Sequence, residues 1–367
     1  MKRAAIALLI LFLPLLLFAE SDETQDAVDA LVGTIDLSEW DAWFRDNGAG
    51  DVLPSEILKQ LVGMQASDAD DMAGILRKLT PSIKPMLAKT ALLMGLAAFG
   101  AAIGGITDPR AIGETAGAAF RICVSVTVLA LSLTEIRGAL DAVRTVERTG
   151  EVLLPAIVGY LTFSGFTNSA SLVPASYALL SDVVLRVLEG CVAPAAIIGG
   201  VLIVLDANGT GRLNAIGKLL QRAAKWVLGT ACSVYLMITA VRSAVARNTD
   251  GLLLKTTKHA AGSIPAIGSL LSESVDSAYQ CLHFVKNALG LTGCIALLSV
   301  IWKPVISVFL TRSSLRAAAL LSEPLSGKPY AELLRGMGDT LHVLMLSELA
   351  AIAMALMTFA PMLGTGG

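Results

Sequence analysis

Charge is scarce in this sequence, and its absence is organised. Only 16% of the 367 residues are Asp, Glu, Lys or Arg. Seven stretches of 16 or more residues carry none of them: Ala4–Ala19, Thr90–Thr107, Val152–Ser181, Gly190–Leu205, Trp226–Val241, Asn287–Trp302 and Leu349–Gly367. A shorter one, Ile122–Thr134, lies among them. A water-soluble fold has no use for such runs in series, whereas a bilayer-spanning helix needs roughly 17–25 mostly apolar residues, some of them snorkelling flanks. Mean hydropathy of +0.69 agrees. A net charge of −2 removes the basic excess on which nucleic-acid binding depends. Aromatic residues are few, at 5%, while glycine is frequent at 33, so helices are expected to pack closely through small residues.

Catalytic and cofactor signatures are missing as well. The five cysteines, Cys123, Cys191, Cys232, Cys281 and Cys294, form no C-x-x-C pair and read as small buried apolar side chains. Asp206, Asn208 and Thr210 imitate the first half of a calcium loop, but the twelfth position is Gly217 where a bidentate glutamate is needed. Gly217-Lys218 is followed by Leu219 rather than Ser or Thr, which excludes a phosphate loop, so any energised process needs a separate ATPase. No G-x-S-x-G or H-E-x-x-H motif occurs. His259 and His283 have no companion ligands at helical spacing. The reading is not an enzyme, with no cofactor and no metal.

What is present is an all-α polytopic membrane bundle in three regions. Residues 1–19 read as a signal peptide: Lys2 and Arg3, an apolar run, then Leu17 and Ala19 at the −3 and −1 positions, an uncleaved anchor being the alternative. Residues 20–86 are an acidic helical extracytoplasmic region in which Leu37, Trp40 and Phe44 share one helical face and Pro54-Ser55-Glu56 starts a further helix. Residues 87–367 are the multi-spanning membrane domain, with five to eight crossings.

That domain carries signs of duplication. Leu154-Pro155-Ala156-Ile157 with Gly159 returns as Ile264-Pro265-Ala266-Ile267 with Gly268, and Cys123-Val124-Ser125 and Cys232-Ser233-Val234 precede them at similar offsets. The approximate repeats are 120–225 and 229–335, followed by a final spanning helix at 340–363. Val152–Ser181 has a polar centre from Ser164 to Ser171, including Asn168, and then Pro174. Hydrocarbon tolerates non-helical backbone only where protein or water satisfies it, so the proline-led segments are expected to be broken or re-entrant helices. Broken helices in matching positions of two repeats point to a permeation or binding site. The basic clusters around Arg212–Lys225 and Arg242–Lys258 fall on opposite sides if Trp226–Val241 crosses once. An interfacial amphipathic helix would relieve that conflict with the positive-inside rule. Glu348, within the last apolar region beside His342, is a carboxyl that must face the bundle interior or water. The candidate pore or helix-break residues are Pro155, Gly159, Asn168, Pro174, Pro265, Gly268 and Glu348.

The run Thr249–Lys258, then Ile264-Pro265-Ala266-Ile267-Gly268, then Lys286–Gly293, resembles the stage III sporulation protein AE family of endospore-forming bacteria. The signal segment, Leu154-Pro155-Ala156-Ile157, Trp40 followed by Leu53-Pro54-Ser55, and Glu323-Pro324-Leu325 fit the same family, over roughly residues 35–365. The short Gly-rich tail after Glu348 departs from the more polar end expected there. The resemblance implies a polytopic component of the channel complex, a secretion-like apparatus linking mother cell and forespore. It would sit in the mother-cell-derived membrane around the forespore. Its implied partners are the other stage III sporulation A-operon membrane proteins and their ATPase, the lipid bilayer and, indirectly, the forespore protein stage II Q, with no nucleic acid. The resemblance implies no catalytic residue. A self-contained secondary transporter and a non-conducting scaffold are the alternatives.

Overall fold

The structure, a computed structural model, describes residues 32–33, 35–47, 53–63, 112–206, 212–262, 268–326 and 328–358, with a few isolated positions besides. The signal segment 1–19, the acidic stretch after it, nearly all of the run 90–107 and the motif Ile264–Ile267 lie outside the described residues. Among the described residues every regular element is helical. Two short helices, α1 (Ser38–Asp46) and α2 (Pro54–Gly63), precede α3 (Ile112–Phe163) and α4 (Thr167–Leu179). The α4 helix continues through two π-helical stretches, Leu180–Leu185 and Leu188–Val192, into α5 (Ala193–Leu205). Then come α6 (Arg212–Gly262), α7 (Gly268–Ser326) and α8 (Lys328–Thr358).

Five of the described helices are long and apolar enough to cross a bilayer: Ile122–Phe163, Thr167–Leu205, Arg212–Arg242, Gln280–Leu321 and Ala331–Thr358. They alternate in direction. Tyr160 Oη donates to Leu282 O at 2.8 Å and Ser307 Oγ to Glu135 Oε2 at 2.7 Å, which makes α3 and α7 antiparallel. Arg316 pairs with Asp339 at 2.9 Å and Arg335 with Glu323, which makes α7 and α8 antiparallel. Gln221 meets Thr340 and Tyr235 meets Thr358, so α6 and α8 run in parallel. The helices outrun a bilayer: α3, with 52 residues, is about 78 Å long at the α-helical rise, against a hydrocarbon layer of about 30 Å.

Two residues expected to break helices do not. Pro155 lies inside α3 and Pro174 inside α4. Each ring removes one backbone donor, yet the surrounding ladder and neighbouring helices hold the axis together. The chain reverses at Ser164-Gly165-Phe166, at the front of the polar centre expected to divide Val152–Ser181. Gly165 adopts φ +79°, its N–H donates to Thr162 O at 3.2 Å, and the Phe166 N–H donates to Leu161 O at 2.9 Å. That pair of bonds is a Schellman cap, which needs a left-handed residue that glycine supplies without strain. Phe166 is buried, with Lys286 of α7 lying 4.5 Å from its ring centroid, so the turn is pinned to the start of α7. Arg212–Lys225 is likewise not a separate surface helix. It opens the continuous α6, which carries both basic clusters and one apolar stretch between them.

Apolar packing falls into two buried clusters. One contains Leu153, Ile157, Leu180, Val285, Leu297, Val305, Ala351 and Ile352, and the aromatic face Leu37, Trp40 and Phe44 joins it together with Leu58 of α2. The other contains Val124, Val128, Val204, Val308, Leu315, Leu334, Leu344 and Met345. The α1–α2 pair is held by Asp41, whose carboxylate accepts the Ser55 N–H at 3.1 Å and the Ser55 hydroxyl, capping α2 from across the loop. All five cysteines are free. Cys281 and Cys294 are buried as expected, but Cys123 and Cys191 are exposed on the outer face of the bundle, where surrounding lipid or protein takes the place of an internal core.

Candidate functional site

A buried polar feature lies where the two apolar clusters meet. On α7 the first cluster ends at Val305 and the second begins at Val308, and Ser307 stands between them. On α8 Glu348 falls between Met345 and Ala351, and its residue is only 1% exposed. Neither oxygen of the Glu348 carboxyl has a hydrogen-bond partner among the described residues. Glu135 of α3, itself buried and accepting the Ser307 hydroxyl, is close enough to act on Glu348 electrostatically. Three helices therefore contribute two buried carboxyls and a half-buried hydroxyl to one layer. An unsatisfied buried polar group costs about 1–3 kcal/mol, and ionisable groups inside apolar helices mark ion paths, relays or partner contacts.

A second polar junction, toward the α8 N-terminus, is built the opposite way. Gln221 Nε2 donates to Thr340 Oγ1 at 2.9 Å and to Gly336 O at 3.1 Å, and Thr340 Oγ1 reaches Gly336 O at 3.2 Å. Gly199 of α5 and Gly217 of α6 let the two backbones touch: a Cβ on Gly199 would lie 2.8 Å from Gly217 O. Gly200 faces Thr340 so closely that any Cβ there would collide with the hydroxyl. This is small-residue packing with every donor used, a structural junction rather than a reactive one. Nearby, Asp206 accepts the Asn214 N–H at 2.9 Å, and the Asn214 side-chain amide donates to Glu332 at 2.8 Å. The imitation calcium loop thus ends in a helix-start cap, and among the described residues no group of three or more His, Cys, Asp or Glu is placed to hold a metal.

The described sequence-predicted residues fall on four helices. Pro155 and Gly159 lie on the outer face of α3, and a Cβ on Gly159 would meet nothing within 4 Å. Asn168 is in the first turn of α4, where its carbonyl accepts the Ser171 hydroxyl at 2.9 Å, and Pro174 follows inside the same helix. Gly268 opens α7, while Pro265 lies outside the described residues. Only Glu348 is in the buried layer, away from the proline-bearing segments. Glu135 and Ser307 complete that layer and were not singled out by sequence. Glu135 is the first charge after the apolar run Ile122–Thr134, a signal that was available, whereas Ser307 becomes visible only once α3, α7 and α8 are in register.

Comparison with known proteins supplies the remaining evidence. A family profile described as "Stage III sporulation protein AE" matches residues 55–366. A curated relative from Bacillus subtilis (strain 168), "Stage III sporulation protein AE", is 26% identical over 196 residues, which are 53% of this chain and 49% of the relative. The aligned region therefore spans about half the length of that relative. No solved structure matches.

Proposed function

Since the chain belongs to the stage III sporulation protein AE family, we propose that it is an integral membrane component of a sporulation channel or export complex linking mother cell and forespore. The observation that carries this reading is the family match across 55–366, on a chain with five helices suited to a membrane. Its place is the mother-cell-derived membrane around the forespore. Its partners are the other stage III sporulation A-operon membrane proteins and their ATPase and, through them, the forespore protein stage II Q. The chain has no phosphate loop, so energy enters from that ATPase and this subunit contributes a path rather than catalysis.

A second reading, a self-contained proton-coupled transporter, is favoured by one feature: the Glu348–Glu135–Ser307 layer resembles the carboxyl relays of transporters. The two separate experimentally. Removing the chain should arrest spore development after engulfment, and passage of a small reporter solute into the forespore should require this chain and the ATPase together. Solute uptake by the purified protein alone in liposomes would favour the transporter. Full sporulation with Glu348→Leu, together with unchanged reporter passage, would leave a scaffold.

A further inference from the structure

One side of the bundle is polar at a depth where its surroundings are apolar. The α3–α7 register fixes that depth. With Tyr160 at Leu282 and Glu135 at Ser307, residues midway between the two contacts face each other, so Glu147 and Arg148 lie level with Cys294 and Ile295. Those two residues are the centre of the charge-free run Asn287–Trp302. A separate chain of contacts reaches the same level. The Glu147 carbonyl accepts the Tyr177 hydroxyl, and the adjacent Ser176 carbonyl accepts Tyr235 Oη at 3.5 Å. Tyr235 stands near the middle of Trp226–Val241, another charge-free run.

At that level α6 shows the outside what a lipid-facing helix shows: Val234 and Met237 are 52% and 71% exposed. The α3 face differs. Its exposed residues are Arg137, Asp141, Arg144, Arg148 and Glu151, at alternating steps of four and three that hold one helical face, and the same face continues through Pro155, Gly159 and Thr162. Between Leu133 and Phe163, α3 exposes no large apolar side chain. The adjoining rod presents Thr167, Ser171, Ala175, Ala178, Asp182 and Arg186, with Val183 the one large apolar side chain exposed among them. Arg144 Nε donates to Glu189 at 3.1 Å and ties the two faces together. Hydrocarbon cannot solvate this surface: each central charge costs several kcal/mol, and at mid-depth snorkelling side chains reach no headgroups.

We propose that this outward face of α3 and of the rod from Thr167 to Arg186 lines a water-filled path at bilayer depth, deepening the channel reading on which it rests. The remaining wall comes from further chains of the assembly, since a lone open face would meet lipid. Arginines and carboxylates are interspersed along it, so the path admits small hydrated solutes without selecting the sign of their charge, unlike a ring of one sign.

The test uses the full chain in membranes of sporulating cells, with its five native cysteines replaced and one cysteine returned at Arg148, Ala178, Val234 or Met237. A charged, membrane-impermeant methanethiosulfonate is applied after permeabilisation, and spore formation confirms that each variant is assembled. Ala178→Cys is the mild alternative should Arg148→Cys fail to assemble. The expected result is modification at 148 and 178 at least tenfold faster than at 234 and 237. Protection of all four positions would mean a dry protein interface and would overturn the proposal. Equal labelling of all four would place this level outside the bilayer and overturn it as well. Unreactive 148 and 178 in cells that still pass the reporter would remove the lining but leave the export reading standing. Labelled positions in cells whose passage is independent of this chain would do the reverse.

Discussion

Two polar residues eight positions apart on α8 meet opposite fates. Thr340 is fully buried and engaged by Gln221 and the Gly336 carbonyl, in a junction where glycines on α5 and α6 bring backbones into contact. Glu348 is as deeply buried, and both its carboxyl oxygens are unpartnered among the described residues. The first arrangement is what stability requires of a polar group removed from water, and the second is what stability alone would eliminate. Where one helix holds both, the unsatisfied group is the one to examine for function.

Four substitutions put pressure on that contrast. The largest loss is expected from Gly200→Val, whose side chain would be driven into Thr340: about 3 kcal/mol or more, read as a fall in melting temperature of the detergent-solubilised protein. Gln221→Leu should cost less, about 1–2 kcal/mol, because Thr340 keeps its bond to the Gly336 carbonyl. Glu348→Leu should change stability by about 1 kcal/mol in the opposite direction, since an apolar side chain of similar size replaces an unsatisfied carboxyl, while sporulation efficiency collapses. A Glu348→Leu protein that melts lower and still sporulates would reverse the assignment of the two sites. Smallest is Ser233→Ala. Among the described residues this hydroxyl bonds only the Gly229 carbonyl of its own helix, and a shift within about 0.5 kcal/mol would show that bonding between helices, not polarity itself, is what counts.

Much of the architecture was legible from where charges are missing. The runs at 190–205, 226–241 and 287–302 each lie in helices long enough to span, the run at 152–181 divides between two such helices at its polar centre, and Glu348 stood out as a carboxyl inside such a region. Prolines misled. Pro155 and Pro174 suggested helix ends, yet proline removes a single donor and both helices run on, while the actual reversal depends on Gly165. The exposed charges from Arg137 to Glu151 share one outward face and leave the helix continuous. Pairings such as Gln221 with Thr340 or Ser307 with Glu135 join residues more than a hundred positions apart. They depend on helix register, which hydropathy does not encode.

The two π-helical stretches between Leu180 and Val192 bear on how this rod could be re-aimed. Each accommodates a wider turn than the helix around it. Loss of one residue from either stretch would let the backbone close to the ordinary pitch with the downstream faces kept in place, because the wider turn is what absorbs the extra residue. Loss of one residue from the ordinary helix just after Val192 would instead swing everything downstream by about 100° and turn Gly199 and Gly200 away from the helices they are shaped to meet. The rod is in effect a shaft with slack at two joints and none beyond them.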